Sequence, residues 1–527
     1  MTSKQTKYIN IFKRYFFKYE NIFLILTIFI IGFTAYINVY NNELLWDDEF
    51  LLEKNQYVHN FEIKKILTNP IGAGAGRMDK FYRPIQLTAY SLIYKKFNLE
   101  PWPYHLLNIS LHLANALLIF LILYKLSKNK VISFLSSVFW VVHPIHTEAV
   151  TYISGTADPL AFFFSLLSLV CYTIYRKKNN IIFFIISILC FVFVLISKES
   201  YLVFPLLIIL TESVFFSKKI KKIVSYSLPY FVILITFAIF RLTLLNFEGS
   251  LNFYKSANIY TESIFVRILT FIATIPEYFS FLIMPFGLHM ERSFPVFVSP
   301  FNLPVLFSLI ILSVIALILY KAIKKPDKLI TFGILWMLVT MLPISGIIPL
   351  NAFIMEHWLY ASSLGFFIVI STLIYRYFFN SKYRFYLIAG TCLVVIILMA
   401  ITLETNSKWK NPITFYNYIL SYETGSSRVL NNLAMAYTKK EEFSQAKKYY
   451  LKAIRVNDSH AEVHYNIANI YLNEGNYKKA ISHLMRSIEL NHNFFFSYKR
   501  LGDIYKALGD EEKADYYYNQ AKQIELY

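Results

Sequence analysis

Long apolar stretches alternate with short charged ones over the first four hundred residues, and the alternation stops near residue 405. The apolar runs lie at 20–40, 104–125, 131–150, 158–175, 180–197, 200–216, 223–243, 263–285, 303–320, 329–349, 357–375 and 385–403. An α-helix needs about twenty apolar residues to cross the ~30 Å hydrocarbon layer of a membrane. The pattern therefore predicts an all-α, polytopic membrane domain. Beyond residue 428 the apolar positions recur at helical spacing instead, in blocks too polar to enter lipid.

Those blocks repeat. Aligning "VLNNLAMAYTKKEEFSQAKKYYLKAI", "VHYNIANIYLNEGNYKKAISHLMRSI" and "SYKRLGDIYKALGDEEKADYYYNQAK" gives a period of 34, with Tyr437, Tyr471 and Tyr505 in one register, Ala446, Ala480 and Ala514 in a second, and Leu433, Ile467 and Leu501 in a third. This period and this small/large pattern mark tetratricopeptide repeats, helix pairs that stack into an α-solenoid. A half-repeat, "ITFYNYILSYETGS", caps the start of the stack. The domain plan is residues 1–405 for the membrane domain, with a long first external loop at 41–103, then 406–427 for linker and cap, and 428–527 for three repeats. Such stacks bind extended peptides or partner proteins along their concave face.

Charge fixes a topology. Basic clusters separate alternate pairs of apolar runs: Lys4, Lys7, Lys13, Arg14 and Lys18; Lys125, Lys128 and Lys130; Arg176 to Lys178; Lys218 to Lys222; Lys321 to Lys328; and Arg376, Lys382 and Arg384. Glu20 and Asp327 are the acids read against them, so these ends are expected in the cytoplasm. For the cluster at 321–328 to return there, 263–285 must be re-entrant or interfacial. About eleven transmembrane helices remain, with the N-terminus cytoplasmic and the repeats outside. The first run is too long for a signal-peptide core and no small-residue cleavage site follows it, so no cleavable signal is expected.

Composition supports the same picture: 56% hydrophobic, 18% aromatic and 16% charged is too apolar for a soluble enzyme. The formal net charge of +19 is a topology signal, and it argues no role with nucleic acid, since residues 428–527 carry 15 bases against 12 acids. Cys171, Cys190 and Cys392 fall in apolar runs, where packing is expected, and no disulfide framework is readable.

The remaining ionisable residues sort to one side. "LLWDDEFLL" puts Asp47, Asp48 and Glu49 together at the end of the first apolar run, and Arg83, His105, His143, His146, Glu148, Asp158, Lys198, Glu199, Arg241, Glu291, Arg292, Glu356 and His357 also fall at external ends of runs. Ionisable groups at membrane depth mark functional sites; ordinary interfacial charges are the competing reading. In the loop, "NPIGAGAGRMDKFYRP" lacks the strand, helix and Gly-Lys-Ser/Thr of a phosphate loop and reads as a flexible segment. Stretches 62–68 and 84–97 suit short interfacial helices.

The segments "YRPIQLTAYSLIYKKFNLEPWPYHLLNISLHLANALLIF", "HPIHTEAVTYISGTADPLAFFFSLLSL", "SKESYLVFPLLIILTE" and "FGILWMLVTMLPISGIIPLNAFIMEHWLYASSLGFF", followed by the repeats, resemble the transmembrane and tetratricopeptide repeat O-mannosyltransferases and their bacterial relatives, of the GT-C glycosyltransferase class. The resemblance covers nearly the whole chain. It implies an inverting transfer of a sugar from a polyprenyl-phosphate carrier to an acceptor hydroxyl, a protein Ser/Thr being one candidate, on the extracytoplasmic side. It implies catalysis by an acidic pair in the first external loop, matched here by Asp47 and Asp48. An alcohol attacking an anomeric carbon needs a base for its proton, and nearby negative charge stabilises an oxocarbenium-like transition state. Asp48 is favoured as the base with Asp47 orienting it, although an acidic solvated turn would show the same spacing.

The leaving group is a lipid phosphate, so donors and cations are required. The donor- or substrate-binding candidates are Arg83, His143, His146, Asp158, Lys198, Glu199, Arg241, Arg292, Glu356 and His357, with Glu148 as a second catalytic acid. Related sequences often carry arginine where this one has Thr156 and His357, and a histidine binds phosphate well only when protonated. His143, His146 and Glu148 could also ligate a divalent metal, but their spacing is poor for one helix face, and no metal or cofactor is expected. The expected partners are a polyprenyl-phosphate-sugar donor, an acceptor protein or peptide, and the lipid bilayer. The Lys-, Asn-, Ile- and Phe-rich composition suggests a prokaryotic cytoplasmic membrane. The alternatives are an inactive membrane-anchored scaffold for envelope proteins and a lipid-linked glycan transporter; against the latter, no inverted repeat is visible.

Overall fold

The computed structural model describes residues 3–77, 80–245, 258–379 and 381–525, with side chains from residue 19 to 524. The basic side chains at 4–18 lie outside that description. The chain forms two compact units, Met1–Lys410 and Asn411–Tyr527. The division comes a few residues after the expected one, because the last long helix of the first unit runs on to Lys408.

The first unit has no strand among its described residues; helices carry it, apart from irregular stretches such as 284–302. Its long elements are α1 Ser3–Ala35, α2 Pro84–Phe97, α3 Pro101–Ser127, α4 Lys130–Val142, α5 Ala157–Lys178, α6 Ile181–Leu195, α7 Phe204–Thr211, α8 Ile220–Thr243, α9 Ile264–Ile283, α10 Leu303–Lys324, α11 Lys328–Met341, α12 Leu359–Ile374 and α13 Arg384–Lys408. Each of the twelve apolar runs contains helix. Among the described residues nine helices are long and apolar enough to cross a membrane, and Lys130–Val142, Ile181–Leu195 and Lys328–Ile344 are shorter apolar ones. In lipid an α-helix satisfies its own backbone groups, which is why continuous apolar sequence commits to it.

The tight turns at the lysine-rich end share one construction. Lys128 and Asn179 take left-handed backbone conformations that end α3 and α5, and the next residue, Asn129 or Asn180, caps the following helix with its side chain. Where α11 meets α12, Gly333 and Gly365 let the backbones touch. A Cβ on Gly365 would lie 2.3 Å from the Gly333 carbonyl oxygen, so small residues here set the helix spacing. The core gathers around Trp140, Phe162, Trp336 and Tyr360.

Helix α9 lies across one end of the bundle. Near its start Arg267 Nε donates to the Gly346 carbonyl at 2.7 Å, just beyond the end of α11. Near its finish the Leu282 carbonyl accepts from His143 Nε2 at 3.3 Å, just beyond the end of α4. Both partners belong to the same end of the bundle, the one opposite the lysine clusters. The last turns of α9 pack through Tyr278, Phe281 and Leu282, while Ile264, Phe265 and Ile268 near its start are exposed.

The stretches at 62–68 and 84–97 are helical as expected, as Ile63–Thr68 and α2. The glycines at 72–76 form a 3-10 turn at Ala73–Ala75 with Gly74 packed on the Asn55 amide, which also donates to the Ile71 carbonyl at 3.2 Å; residues 78 and 79 of the same segment lie outside the described residues. Cys171 and Cys190 are buried, but Cys392 is exposed on α13, facing out of the bundle instead of packing within it.

The second unit stacks α14 Pro412–Leu420, α15 Ser427–Lys439, α16 Phe443–Val456, α17 Ala461–Asn473, α18 Tyr477–Leu490, α19 Phe495–Ala507 and α20 Glu511–Glu525. Ala446, Ala480 and Ala514 are fully buried, as are Leu433, Ile467 and Leu501. Parallel-stacked rings recur at equivalent places: Tyr437 with Tyr449, Tyr471 with His483, and Tyr505 with Tyr517, each pair 5.5 Å apart. The half-repeat helix α14 packs against α15, giving the stack a first layer.

Candidate functional site

The turn after the first span folds back on itself. Trp46 adopts φ 49°, a left-handed conformation that is uncommon outside glycine and asparagine, and it throws the two following aspartates in different directions. Asp48 is 1% exposed. Its Oδ2 accepts the Leu45 N–H at 2.8 Å, and its Oδ1 accepts both the Ser154 N–H at 2.9 Å and the Ser154 hydroxyl. Burial pushes its carboxyl up to about 7, against the pull of those donors. Asp47 stays 40% exposed, 3.5 Å from the Arg77 guanidinium, and its backbone N–H donates to the Tyr152 hydroxyl at 2.8 Å. The Tyr152 ring in turn packs against Trp409 at 5.6 Å.

Ser154 and Tyr152 come from the segment joining α4 to α5, which winds through short helical turns at Pro144–His146, Thr147–Val150 and Ile153–Thr156. Gly155 makes that winding possible: a Cβ there would sit 2.8 Å from the carbonyl oxygens of Glu148 and Ala149. Glu148, 1% exposed, spends both oxygens on one residue. Oε2 accepts the His357 backbone N–H at 2.9 Å and Oε1 the ring Nδ1–H at 2.8 Å. Burial alone would raise the Glu148 carboxyl, but His357 outweighs it and holds it below the usual carboxylate range. Glu356, next to His357, takes Arg292 at 2.7 Å, whose guanidinium lies 4.5 Å over Phe281.

A third group lies where α5 begins. Lys198 Nζ meets Asp158 Oδ2 at 2.5 Å, and burial lowers the Lys198 ammonium. Glu199 accepts the Tyr82 N–H at 2.6 Å and Arg83 Nε at 3.2 Å, with Arg241 4.0 Å away. Asp158 and His357 face a half-open cleft of about 500 Å³, counting the solvent at its mouth. Beside the polar rim its wall is apolar, from Phe162, Phe204 and Trp336.

Expectation and structure part at several residues. The favoured base, Asp48, is buried and fully engaged, and Asp47 is the open carboxylate. Glu148, expected as a second catalytic acid, turns both oxygens toward His357 and so orients that residue. His143 is buried, caps the turn after α4 by accepting the Ile145 N–H at 3.2 Å, and is pushed by burial down to about 3. His146 bonds the Ser363 hydroxyl at 2.9 Å, and burial lowers it well below the ordinary imidazole range. Neither ring supplies a cation. His105 bonds the Asn42 carbonyl at 3.0 Å, a structural contact. Among the described residues no three of His, Cys, Asp and Glu converge on a metal position. Arg83, Asp158, Lys198, Glu199, Arg241, Arg292, Glu356 and His357 do assemble, as ion pairs. The sequence reading missed Ser154 and Tyr152, which carry the aspartate turn; the "SGTAD" block was the available signal. It also missed Glu212, an acid buried at the lysine-rich end and held by Arg176 at 2.8 Å and the Tyr172 hydroxyl at 2.6 Å.

The tetratricopeptide repeat family model matches residues 427–460 and 461–494, and a second model of the same repeat matches 497–526. The chain is similar to the protein O-mannosyl-transferase TMTC3 of Homo sapiens, with 25% identity over 74% of this chain and 46% of that protein. It is similar to a protein O-mannosyl-transferase of Caenorhabditis elegans at 24% identity over 84% of this chain and 64% of that one. To the protein O-mannosyl-transferase TMTC2 of Mus musculus it is 33% identical over 27% of this chain and 18% of the relative. The chain thus spans between about half and two thirds of the length of the first two relatives. Among solved structures, that of MamA overlaps 26% of this chain at 23% identity with a TM-score of 0.21.

Proposed function

We propose that this chain is a membrane-embedded glycosyltransferase that moves a mannose-like sugar from a polyprenyl-phosphate donor to an acceptor hydroxyl, with inversion, on the side of the membrane opposite its lysine-rich end. One observation carries the reading: an exposed carboxylate, Asp47, adjoins a buried one, Asp48, at the same end of the bundle as several ion pairs and a cleft with an apolar wall. Similarity to protein O-mannosyl-transferases over most of the chain supports the substrate class and a protein Ser/Thr acceptor.

The chemistry assigns roles. As the acceptor oxygen bonds to the anomeric carbon, its proton passes to Asp47, whose carboxylate is the one open to solvent. Asp48 and Ser154 fix the turn from behind, and Tyr152 pins the Asp47 backbone. The bond from the anomeric carbon to the phosphate oxygen breaks with its electron pair staying on phosphate. Lys198, Arg83 and His357 supply the positive face toward that oxygen, and the apolar wall takes the first carbons of the lipid. The repeats offer a surface for the acceptor polypeptide.

A second reading has one observation in its favour. Arg83, Lys198 and Arg292 each already meet a carboxylate, which suits a scaffold that binds no phosphate. The test is transfer from polyprenyl-phosphate mannose to a Ser/Thr peptide by the purified chain in detergent. The transferase reading expects product that is lost in Asp47→Asn while the variant keeps its elution volume and helicity. Peptide binding without transfer by the wild type replaces it with the scaffold.

A further inference from the structure

His357 differs from every other basic group in the cluster. A guanidinium such as that of Arg83, Arg241 or Arg292 gives up no proton in proteins, whereas histidine is the side chain that ordinarily titrates between about pH 5 and 8. Its ring is also the best oriented. Glu148 grips the backbone N–H and Nδ1 of the same residue at 2.9 and 2.8 Å. A carboxylate can only accept, so Nδ1 carries a hydrogen and the tautomer is fixed. That leaves Nε2, on the other edge of a ring that is 20% exposed and lines the cleft opposite Asp158.

The groups around it define its field. Glu148 lies beneath it on the turn Thr147–Val150, and Glu356 with Arg292 precedes it. Asp158 with Lys198 stands at the cleft on α5, and the Tyr201 hydroxyl belongs to the same lining. His143 and His146, on the neighbouring turn, are neutral. Glu148 is held below the usual carboxylate range despite its burial.

We propose that His357, positioned by Glu148, is the acid that passes its Nε2 proton to the phosphate oxygen leaving the sugar; this rests on the transferase reading above. Every atom is accounted for. The acceptor proton goes to Asp47, the new bond joins acceptor oxygen to the anomeric carbon, and the old carbon–oxygen bond leaves its electrons on phosphate. The Nε2 proton then converts a dianionic lipid phosphate to a monoanion. The turnover ends with a neutral His357 and a protonated Asp47, and exchange with water resets both.

The experiment is the pH dependence of kcat from pH 5.5 to 8.5, with polyprenyl-phosphate mannose and a Ser/Thr peptide, alongside binding of polyprenyl phosphate alone. The wild-type rate is expected to fall about tenfold per pH unit above an alkaline limb. His357→Arg keeps a charge but gives up no proton near neutrality, so its limb disappears, its kcat drops at least about tenfold, and its donor KM stays close to wild type. His357→Gln lowers kcat and also weakens phosphate binding. Transfer that is flat with pH in the wild type, or a limb that stays in His357→Arg, overturns the proposal. pH-dependent phosphate binding by a wild type that transfers nothing overturns instead the transferase reading, and the proton donation with it.

Discussion

At the lysine-rich end of the membrane unit, acids are few and each is answered by one base. Glu20 meets Lys130 at 2.6 Å, Asp327 meets Arg376 at 2.5 Å, and Glu212 takes Arg176 through two nitrogens; beyond these pairs Lys128, Lys177, Lys221 and Lys324 lie exposed. At the opposite end acids and bases are nearly balanced, and three acids are buried, each against a base: Glu148 with His357, Glu356 with Arg292, Asp158 with Lys198. Exposed surplus charge is inexpensive in water and only has to stay out of lipid. Buried pairs lose hydration that their attraction barely returns. Gathering several such pairs at one end, when exposed lysines suffice at the other, is the contrast on which the proposed site rests.

If that contrast is right, removing a carboxylate has opposite consequences at the two ends. The largest effect is expected for Asp47→Asn, which should lower transfer by about 10²–10⁴-fold, the range for loss of a positioned base, while the thermal midpoint moves little because the side chain is partly solvated. A variant with full transfer would remove Asp47 from the chemistry. Glu212→Ala, at the other end, should do the reverse. It leaves Arg176, sandwiched 3.8 Å from Tyr226, without its partner, at about 3–5 kcal/mol of stability, while the fraction that folds keeps its kcat. A loss of kcat without loss of stability would mean that the two ends are not functionally distinct.

Asp48 sharpens the comparison through pH. Its raised carboxyl, at about 7, means that the folded chain holds a proton which the unfolded chain releases near pH 4. The stability from this site is therefore fully present below about pH 4 and lost as pH rises through about 7, amounting to at most about 4 kcal/mol. Asp48→Asn cannot ionise, so its thermal midpoint relative to wild type should climb between pH 4 and 7. A difference constant across that window would mean that Asp48 is ionised throughout.

The same contrast explains what was legible in the sequence. Helices were legible because lipid leaves a backbone no alternative, and the repeats because a period of 34 places Ala446, Ala480 and Ala514 where neighbouring helices nearly touch. Membership of the charged end was legible too, since Arg83, Lys198, Arg292 and His357 all lie at ends of runs on one side. Roles within it were not. Whether Asp47 or Asp48 opens to solvent depends on a left-handed Trp46 and on a serine more than a hundred residues away, and no spacing encodes either. His143 and His146 looked like ligands because their burial, which makes them neutral, is a property of packing. Glu212 was overlooked because it sits inside an apolar run, with its partner Arg176 at the end of another.

The smallest expected effect isolates positioning from charge. Tyr152→Phe keeps the ring against Trp409 and removes only the hydroxyl that accepts the Asp47 N–H. A hydrogen bond of this kind contributes about 1 kcal/mol. If it holds Asp47 in its reactive direction, that energy should appear in kcat as a drop of about fivefold, with the donor KM and the thermal midpoint close to wild type. The deletion also leaves a backbone N–H that water can reach from the exposed side of Asp47, so no buried donor is stranded to unfold the turn. An unchanged kcat would mean that Asp48 and Ser154 alone hold the turn, and that the exposed carboxylate finds its direction from the substrate.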